Sequence, residues 1–176
     1  KVVQGIWLDP SVDFSDPNMI RDSLNYIKRV AESSKGSDNL IMYLVITEPR
    51  QEAVLAAGID KTQEFFKNIK NAIQKIDNKP VSMDSWIPLG FLNHSVWDIV
   101  TFNAFMFVPE SINQTIGFRN YLRWIKENHA VDKPLFIGET GGLSVSQAKL
   151  NNLGFGGGWA GIYWQNPAFN WDQGAV

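Results

Sequence analysis

The sequence predicts an α/β fold built on a parallel sheet, and three features carry that expectation. Apolar segments alternate with amphipathic ones at a period of about thirty residues, the length of one strand–helix unit. Residues 40–46 (Leu-Ile-Met-Tyr-Leu-Val-Ile) and 135–137 are apolar throughout, the pattern of strands buried on both faces. Both runs stop at a carboxylate followed by turn formers, in Thr47-Glu48-Pro49 and Glu139-Thr140-Gly141-Gly142.

Composition limits what the chain can be. Its 176 residues, 44% of them hydrophobic, suffice for one domain with a real core, and residues 1–176 read as a single, partial domain. A net charge of −2 gives no reason to expect nucleic acid or an anionic membrane as partner. The absence of cysteine excludes disulfides, thiolate metal sites and a Cys nucleophile. No run approaches the length of a membrane-spanning helix. No leader is visible, and Lys1-Val2-Val3-Gln4-Gly5-Ile6-Trp7 reads as a strand already under way. The compartment is therefore open, a secreted, periplasmic or cell-surface location being favoured. Asn93-His94-Ser95 and Asn113-Gln114-Thr115 match the glycosylation acceptor pattern, which is common by chance.

The elements follow in order. Residues 2–8 form a strand broken by Asp9-Pro10. Ser15-Asp16-Pro17 opens a helix over about 17–34, with Ile20, Leu24, Ile27 and Val30 on one face. The strand at 40–46 comes next. Asp60 with Gln63 resembles a capping box opening a helix to about Ile76, with Phe65, Phe66, Ile69, Ala72 and Ile73 inward. Strands follow at 81–83 and 98–103, then a helix opened by Ser111 and Gln114 that holds Phe118, Tyr121, Leu122 and Ile125. The strand at 135–139, a helix near 144–153, a Gly-rich joint at 154–158 and a last strand at 160–164 complete the chain.

Such alternation builds either a doubly wound open sheet or a closed (β/α)8 barrel. No Gly-x-Gly-x-x-Gly follows the first strand and no phosphate-binding Walker loop occurs, so the barrel is favoured. A complete barrel has eight units and typically about 250 residues. The chain is read as about strands three to eight, the first two lying on missing or separate sequence of the same or another chain. Glu48 and Glu139, three units apart, then face each other across the mouth. Two carboxylates across a pocket are the equipment of glycoside hydrolysis: one protonated to assist the leaving oxygen, one ionised to attack or to activate water.

These residues also carry a resemblance. The chain resembles the clan of retaining (β/α)8-barrel glycoside hydrolases that place the acid/base Glu on the fourth strand and the nucleophile Glu on the seventh. Tyr43-Leu44-Val45-Ile46-Thr47-Glu48-Pro49 looks like the fourth-strand motif and Pro134-Leu135-Phe136-Ile137-Gly138-Glu139-Thr140-Gly141 like the seventh. Asp98-Ile99-Val100-Thr101-Phe102-Asn103-Ala104-Phe105 is similar to the sixth strand and Ile162-Tyr163-Trp164 to the eighth. The resemblance implies Glu48 as acid/base, Glu139 as nucleophile and Trp164 beneath the sugar, acting on an oligo- or polysaccharide without metal or cofactor. It implies pKa values pushed apart, with Glu48 raised and Glu139 held ionised by hydrogen bonds. One departure is Thr47, where the clan has an Asn that contacts the sugar 2-hydroxyl.

The remaining candidates are each set against a plainer role. Trp86 could stack a neighbouring sugar or pack in the core. Asn103 could donate to a sugar hydroxyl or to Glu139, or bind loop backbone. Asp9 could reach substrate with Trp7, or simply start a turn. Glu110 and Asp172 read as loop charges. His94 and His129 form no metal-spaced pair. The function expected is retaining hydrolysis or transglycosylation of a β-linked glycan. The alternatives are a catalytically inactive glycan-binding or scaffold barrel and, more weakly, a one-carboxylate barrel enzyme for a phosphorylated metabolite.

Overall fold

In a computed structural model, which describes residues 1–86, 89–103 and 118–139, five strands form one sheet. They are β1 (Val2–Ile6), β2 (Leu40–Thr47), β3 (Val81–Ser85), β4 (Val100–Phe102) and β5 (Leu135–Ile137). Every neighbouring pair is parallel, and the spatial order is the sequence order β1-β2-β3-β4-β5. A doubly wound sheet reverses direction at a switch point. This sheet does not reverse among the described residues, so its topology is that of a barrel sector.

Four helices are described: α1 (Pro17–Ser34), α2 (Gln51–Ala57), α3 (Ile59–Gln74) and α4 (Phe118–His129), with a 3-10 turn at His94–Val96. The start of α1 follows the sequence signal: the Asp16 carboxylate accepts from Asn18 N at 2.8 Å, with Pro17 in the first turn. The start of α3 does not. Gly58, at φ 90°, precedes Ile59, and Asp60 lies in the first turn instead of capping through its side chain. The cause is α2, a short helix that good helix formers (Glu52, Ala53, Leu55, Ala56, Ala57) build directly upstream; Gly58 supplies the turn between the two.

Alternation along each strand divides the sheet into two faces. On the helix side, Ile6, Tyr43, Val45, Val81 and Met83 join Ile27 and Ala31 of α1 and Phe65, Phe66, Ile69 and Ile73 of α3 in one buried cluster. Phe14 stands 5.6 Å from Phe65 and 5.9 Å from Phe66 between ring centroids, and Phe66 stands 5.5 Å from Trp97. Each such side chain contributes about 1.5–3 kcal/mol on leaving water. The Tyr43 hydroxyl donates to Asp77 Oδ2 at 3.0 Å, which satisfies the one polar atom of that buried ring. The opposite face is polar over β3 and β4. There Ser82, Asp84, Thr101 and Asn103 are all buried, and the Ser82 and Thr101 hydroxyls meet at 2.6 Å.

Three strands differ from the sequence expectation. β3 continues through Asp84 and Ser85, both buried. β4 is confined to Val100–Phe102. β5 is not buried on both faces: Leu135 and Ile137 are half-buried and Phe136 is 36% exposed. Among the described residues β5 pairs with β4 alone, so one of its sides lacks a strand. The expected helix start at Ser111 and Gln114, the helix near 144–153, the Gly-rich joint and the last strand lie outside the described residues. Among the described residues no helix is long and apolar enough to cross a membrane.

Candidate active site

The carboxyl ends of β2 to β5 bring Glu48, Asp84, Asn103 and Glu139 to one rim of the sheet. In parallel α/β architectures this is the rim where ligands bind.

Glu48 is placed by an irregular strand end. The register passes from Val45–Met83 directly to Thr47–Asp84, so Ile46 is an extra, bulged residue. The φ values of Ile46 and Glu48 are 52° and 46°, in the left-handed region. For a β-branched residue that is a true outlier, and each such residue costs about 1–3 kcal/mol. Its surroundings enforce it. Ile46 is 1% exposed within the core, Glu48 N donates to Asp84 O at 2.9 Å, and Arg50 N donates to Pro10 O at 2.9 Å.

Asn103 holds the other end of Glu48. Its Nδ2 donates to Glu48 Oε1 at 3.0 Å, and its own N–H is anchored to Ser85 O at 2.7 Å. The sequence expectation is a sugar hydroxyl or Glu139; within the protein, the carboxylate it meets is Glu48, two strands away.

Glu139 lies just past the end of β5 and is exposed on the rim. The atoms crowded around its carboxyl raise its pKa, and so does the charge on Glu48. This reverses the expectation that hydrogen bonds hold Glu139 ionised. Among the described residues none reaches its carboxylate, and a like charge on the same rim favours the protonated form. Glu139 and Glu48 are thus within electrostatic reach of each other. The ion pairs described, Arg21–Asp22, Lys35–Glu32 and Lys70–Asp98, neutralise neither.

Two residues of the site go beyond the sequence candidates. Asp84 is 3% exposed, and its carboxyl is pushed up to about 7, first by burial and then by the charges of Glu139 and Glu48, against a lowering hydrogen bond with Asn103. Gly138 donates its N–H to Phe102 O at 3.1 Å. A Cβ there would collide with Asp84 Oδ1 and stand 2.8 Å from Asn103 Oδ1 and 3.0 Å from Thr101 Cγ2. Only glycine lets the end of β5 close onto these side chains. The available signals were the alternation of Val81 and Met83 with Ser82 and Asp84, a strand with one polar face, and the glycine directly before Glu139.

The other candidates are placed as follows. Thr47 is half-buried and aligned with Asp84. Trp86 packs against the core, and its Nε1 is buried without a partner. Asp9 is exposed, and its Oδ1 accepts from Ser11 N at 2.8 Å, a turn-forming bond. Trp7 beside it is 61% exposed. Trp164, Glu110 and Asp172 lie outside the described residues. His94 and His129, distant in sequence, come together with ring centroids 5.6 Å apart, and Phe102 packs against both. Burial, and the neighbouring His129, push His94 down to about 4. No group of His, Asp and Glu among the described residues has the arrangement of a metal site.

At the ends of β3 and β4, Asp84 Oδ1, Ser85 Oγ, Trp86 Nε1 and Asn103 Oδ1 are all buried without a hydrogen-bond partner among the described residues. Each such atom costs about 1–3 kcal/mol. Their concentration on one rim, beside two carboxylates, marks a polar site, whereas the helix side of the sheet is close-packed and apolar.

No protein-family model matches the chain, and no curated protein matches it in sequence. Solved structures match it in fold. A GH113 β-1,4-mannanase superimposes with a TM-score of 0.59 at 15% identity, over 86% of this chain and 51% of its own. The β-glucuronidase of Bifidobacterium dentium gives 0.55 at 12% identity, over 81% and 23%. The cold-adapted β-galactosidase of Rahnella sp. R3 gives 0.54 at 10% identity, over 72% and 28%. The chain therefore has a partial (β/α)8-barrel fold of the kind found in glycoside hydrolases, and it spans about half or less of the chains it matches.

Proposed function

We propose that the protein is a retaining glycoside hydrolase or transglycosylase acting on a β-linked glycan. Glu139 is the nucleophile. Glu48 is the acid of the first step and the base of the second, because the group that gives the proton to the leaving oxygen must take one from the incoming water or sugar. One observation carries the proposal: Glu48 and Glu139 stand on the same rim, three strands apart, close enough for the charge of one to raise the other.

The chemistry follows from that coupling. Two neighbouring carboxyls disfavour double ionisation, which suits a step that needs one of them protonated and the other ionised. With Glu139 ionised and Glu48 protonated, Glu139 attacks the anomeric carbon while Glu48 protonates the departing oxygen. Once Glu139 is esterified its charge is gone, and Glu48 is free to act as a base. Asn103 keeps Glu48 aimed throughout. The polar rim suits a ligand dense in hydroxyls, and exposed Trp7 offers an apolar face for a ring to stack on. The oligo- or polysaccharide substrate rests on this chemistry and on the glycosidase fold. The mannan, glucuronide and galactoside specificities of the matching structures belong to those proteins.

A binding barrel that no longer cleaves is the second reading. Thr47, where the resemblance implies Asn, and the lack of a hydrogen bond holding Glu139 ionised among the described residues both favour it.

Incubation of the full-length protein with a panel of 2-fluoro glycosides, followed by peptide mass spectrometry, separates the two. A covalent sugar on the peptide carrying Glu139, absent in Glu139→Gln, supports the retaining mechanism. Glycan binding without any adduct supports the binding barrel.

A further inference from the structure

Glu48 and Glu139 suffice for double displacement, yet a third carboxyl lies among them with no part in it. Asp84 occupies β3, the strand after that of Glu48, and its backbone carbonyl already accepts the Glu48 N–H. Among the described residues its Oδ1 is buried and unpartnered, and so is Asn103 Oδ1. Both oxygens crowd the point where a Cβ on Gly138 would stand, so they are near neighbours. As an anion, Asp84 would set one buried acceptor against another, and a single proton removes the conflict. We propose that Asp84 is a positioning residue of this site: a neutral acid whose Oδ1–H donates to Asn103 Oδ1 and so orients the amide nitrogen that holds Glu48.

Burial and two facing acids favour a neutral Asp84, against the lowering effect of its hydrogen bond with Asn103. β2 presents Glu48 and the end of β5 presents Glu139, both acidic. β4 presents the neutral Thr101 and Asn103, and on β3 itself the Ser82 hydroxyl is taken up by Ile99 O and Thr101. No cation faces Asp84 among the described residues, and burial of an unpaired anion is costly. Consistently, its carboxyl is pushed up to about 7. Loss of the proton would add a negative charge to an acidic cluster and set Asp84 Oδ1 against Asn103 Oδ1. The amide would turn, and Glu48 would lose its hydrogen-bond donor. The catalytic meaning of this arrangement rests on Glu48 as acid/base; the protonated Asp84 does not.

The test uses the full-length protein and its Asp84→Asn, Asp84→Leu and Glu139→Gln variants, read in two ways. Infrared difference titration without sugar should show a carboxylic acid C=O band that disappears near pH 7, is missing in Asp84→Asn, and shifts to lower pH in Glu139→Gln, where one facing anion is removed. On a glycoside that gives turnover, kcat/KM should fall about 100-fold in Asp84→Leu, the size of effect expected from a misplaced catalytic group. Asp84→Asn should recover most of that loss and keep only the alkaline limb set by Glu48 as the general acid, because its amide remains a donor at all pH. A wild-type titration without the band, a band near pH 7 of undiminished amplitude in Asp84→Asn, or an alkaline limb unchanged in Asp84→Asn would overturn the proposal. Absence of turnover on every glycoside would overturn the glycosidase reading instead, and the infrared titration would still decide Asp84. Asp84→Asn, nearly isosteric, carries the test where Asp84→Leu does not fold.

Discussion

The two faces of the same five-stranded sheet obey different rules. On the helix side, Tyr43, Val45, Val81 and Met83 meet Phe65, Phe66 and Ile69, and the polar atom of Tyr43 is satisfied. On the other face, Ser82, Asp84, Thr101 and Asn103 replace the branched aliphatic side chains that usually fill a barrel interior, and two of their polar atoms, Asp84 Oδ1 and Asn103 Oδ1, with those of Ser85 and Trp86 at the strand end, lack partners among the described residues. One face lowers the free energy of folding; the other raises it and gathers the titratable groups. Stability and chemistry therefore reside on opposite sides of one strand, a single residue apart in sequence.

That division can be broken or sharpened by substitution. The largest effect is expected from Glu48→Gln, which should lower kcat by on the order of 10³-fold, the scale of lost general acid–base catalysis, while leaving the melting temperature unchanged or raised. A matching loss of thermal stability would mean that Glu48 belongs to the fold and not to the chemistry. Phe66→Ala on the opposite face should do the reverse. Denaturant melts should show a loss of about 3–5 kcal/mol, with kcat of the folded fraction preserved.

Buried titratable groups on the two sides should also oppose each other. His94, buried beneath Phe102, is lowered from 6.5 to about 4, so its stabilisation is full above pH 6.5 and is lost as pH falls toward 4. Asp84 is raised from 3.8 to about 7, so its stabilisation is present at low pH and is lost as pH rises toward 7. Each contribution is of order 3–4 kcal/mol, and between about pH 4 and 6.5 their slopes cancel. Urea midpoints of the wild type should change little across that window. Asp84→Asn should become more stable as pH rises through it, and His94→Phe less stable. Parallel profiles in the two variants would show that the two groups are not the opposing pair.

The smallest effect should come from Gly138→Ala. Its methyl group enters space held by Asp84 and Asn103 and costs about 1–3 kcal/mol. A neutral result by thermal melt would show that the end of β5 has room to retreat.

How much was legible in the sequence follows the same division. The apolar face could be read from spacing alone: Ile20, Leu24 and Ile27 on α1 and Phe65, Phe66 and Ile69 on α3 repeat at helical period, and the elements fall close to where that period puts them. Glu48 and Glu139 were legible because each ends an apolar run. Asp84 was not. An Asp before Ser and Trp looks like a turn former, the alternation of Val81 and Met83 with Ser82 and Asp84 is too short to outweigh that, and the pairing of β3 with β2 and β4 puts it inside a strand. The Asn103–Glu48 hydrogen bond spans 55 positions and has no local signature. α2 has no legible signal because helix propensity acts there over a stretch too brief to display a period. The capping box at Asp60 failed for a related reason, since Gly58 had already set the entry of the chain.

The left-handed backbone at Glu48 carries a consequence for anyone who would engineer this protein. Glycine accepts that conformation freely and Asn accepts it readily, whereas Glu does so under strain. A library screened for heat resistance alone would therefore drift at position 48 toward Gly or Asn, and its best survivors would be its most inert members. Any such campaign needs an activity gate at every round, because at this residue the backbone itself selects against the carboxylate.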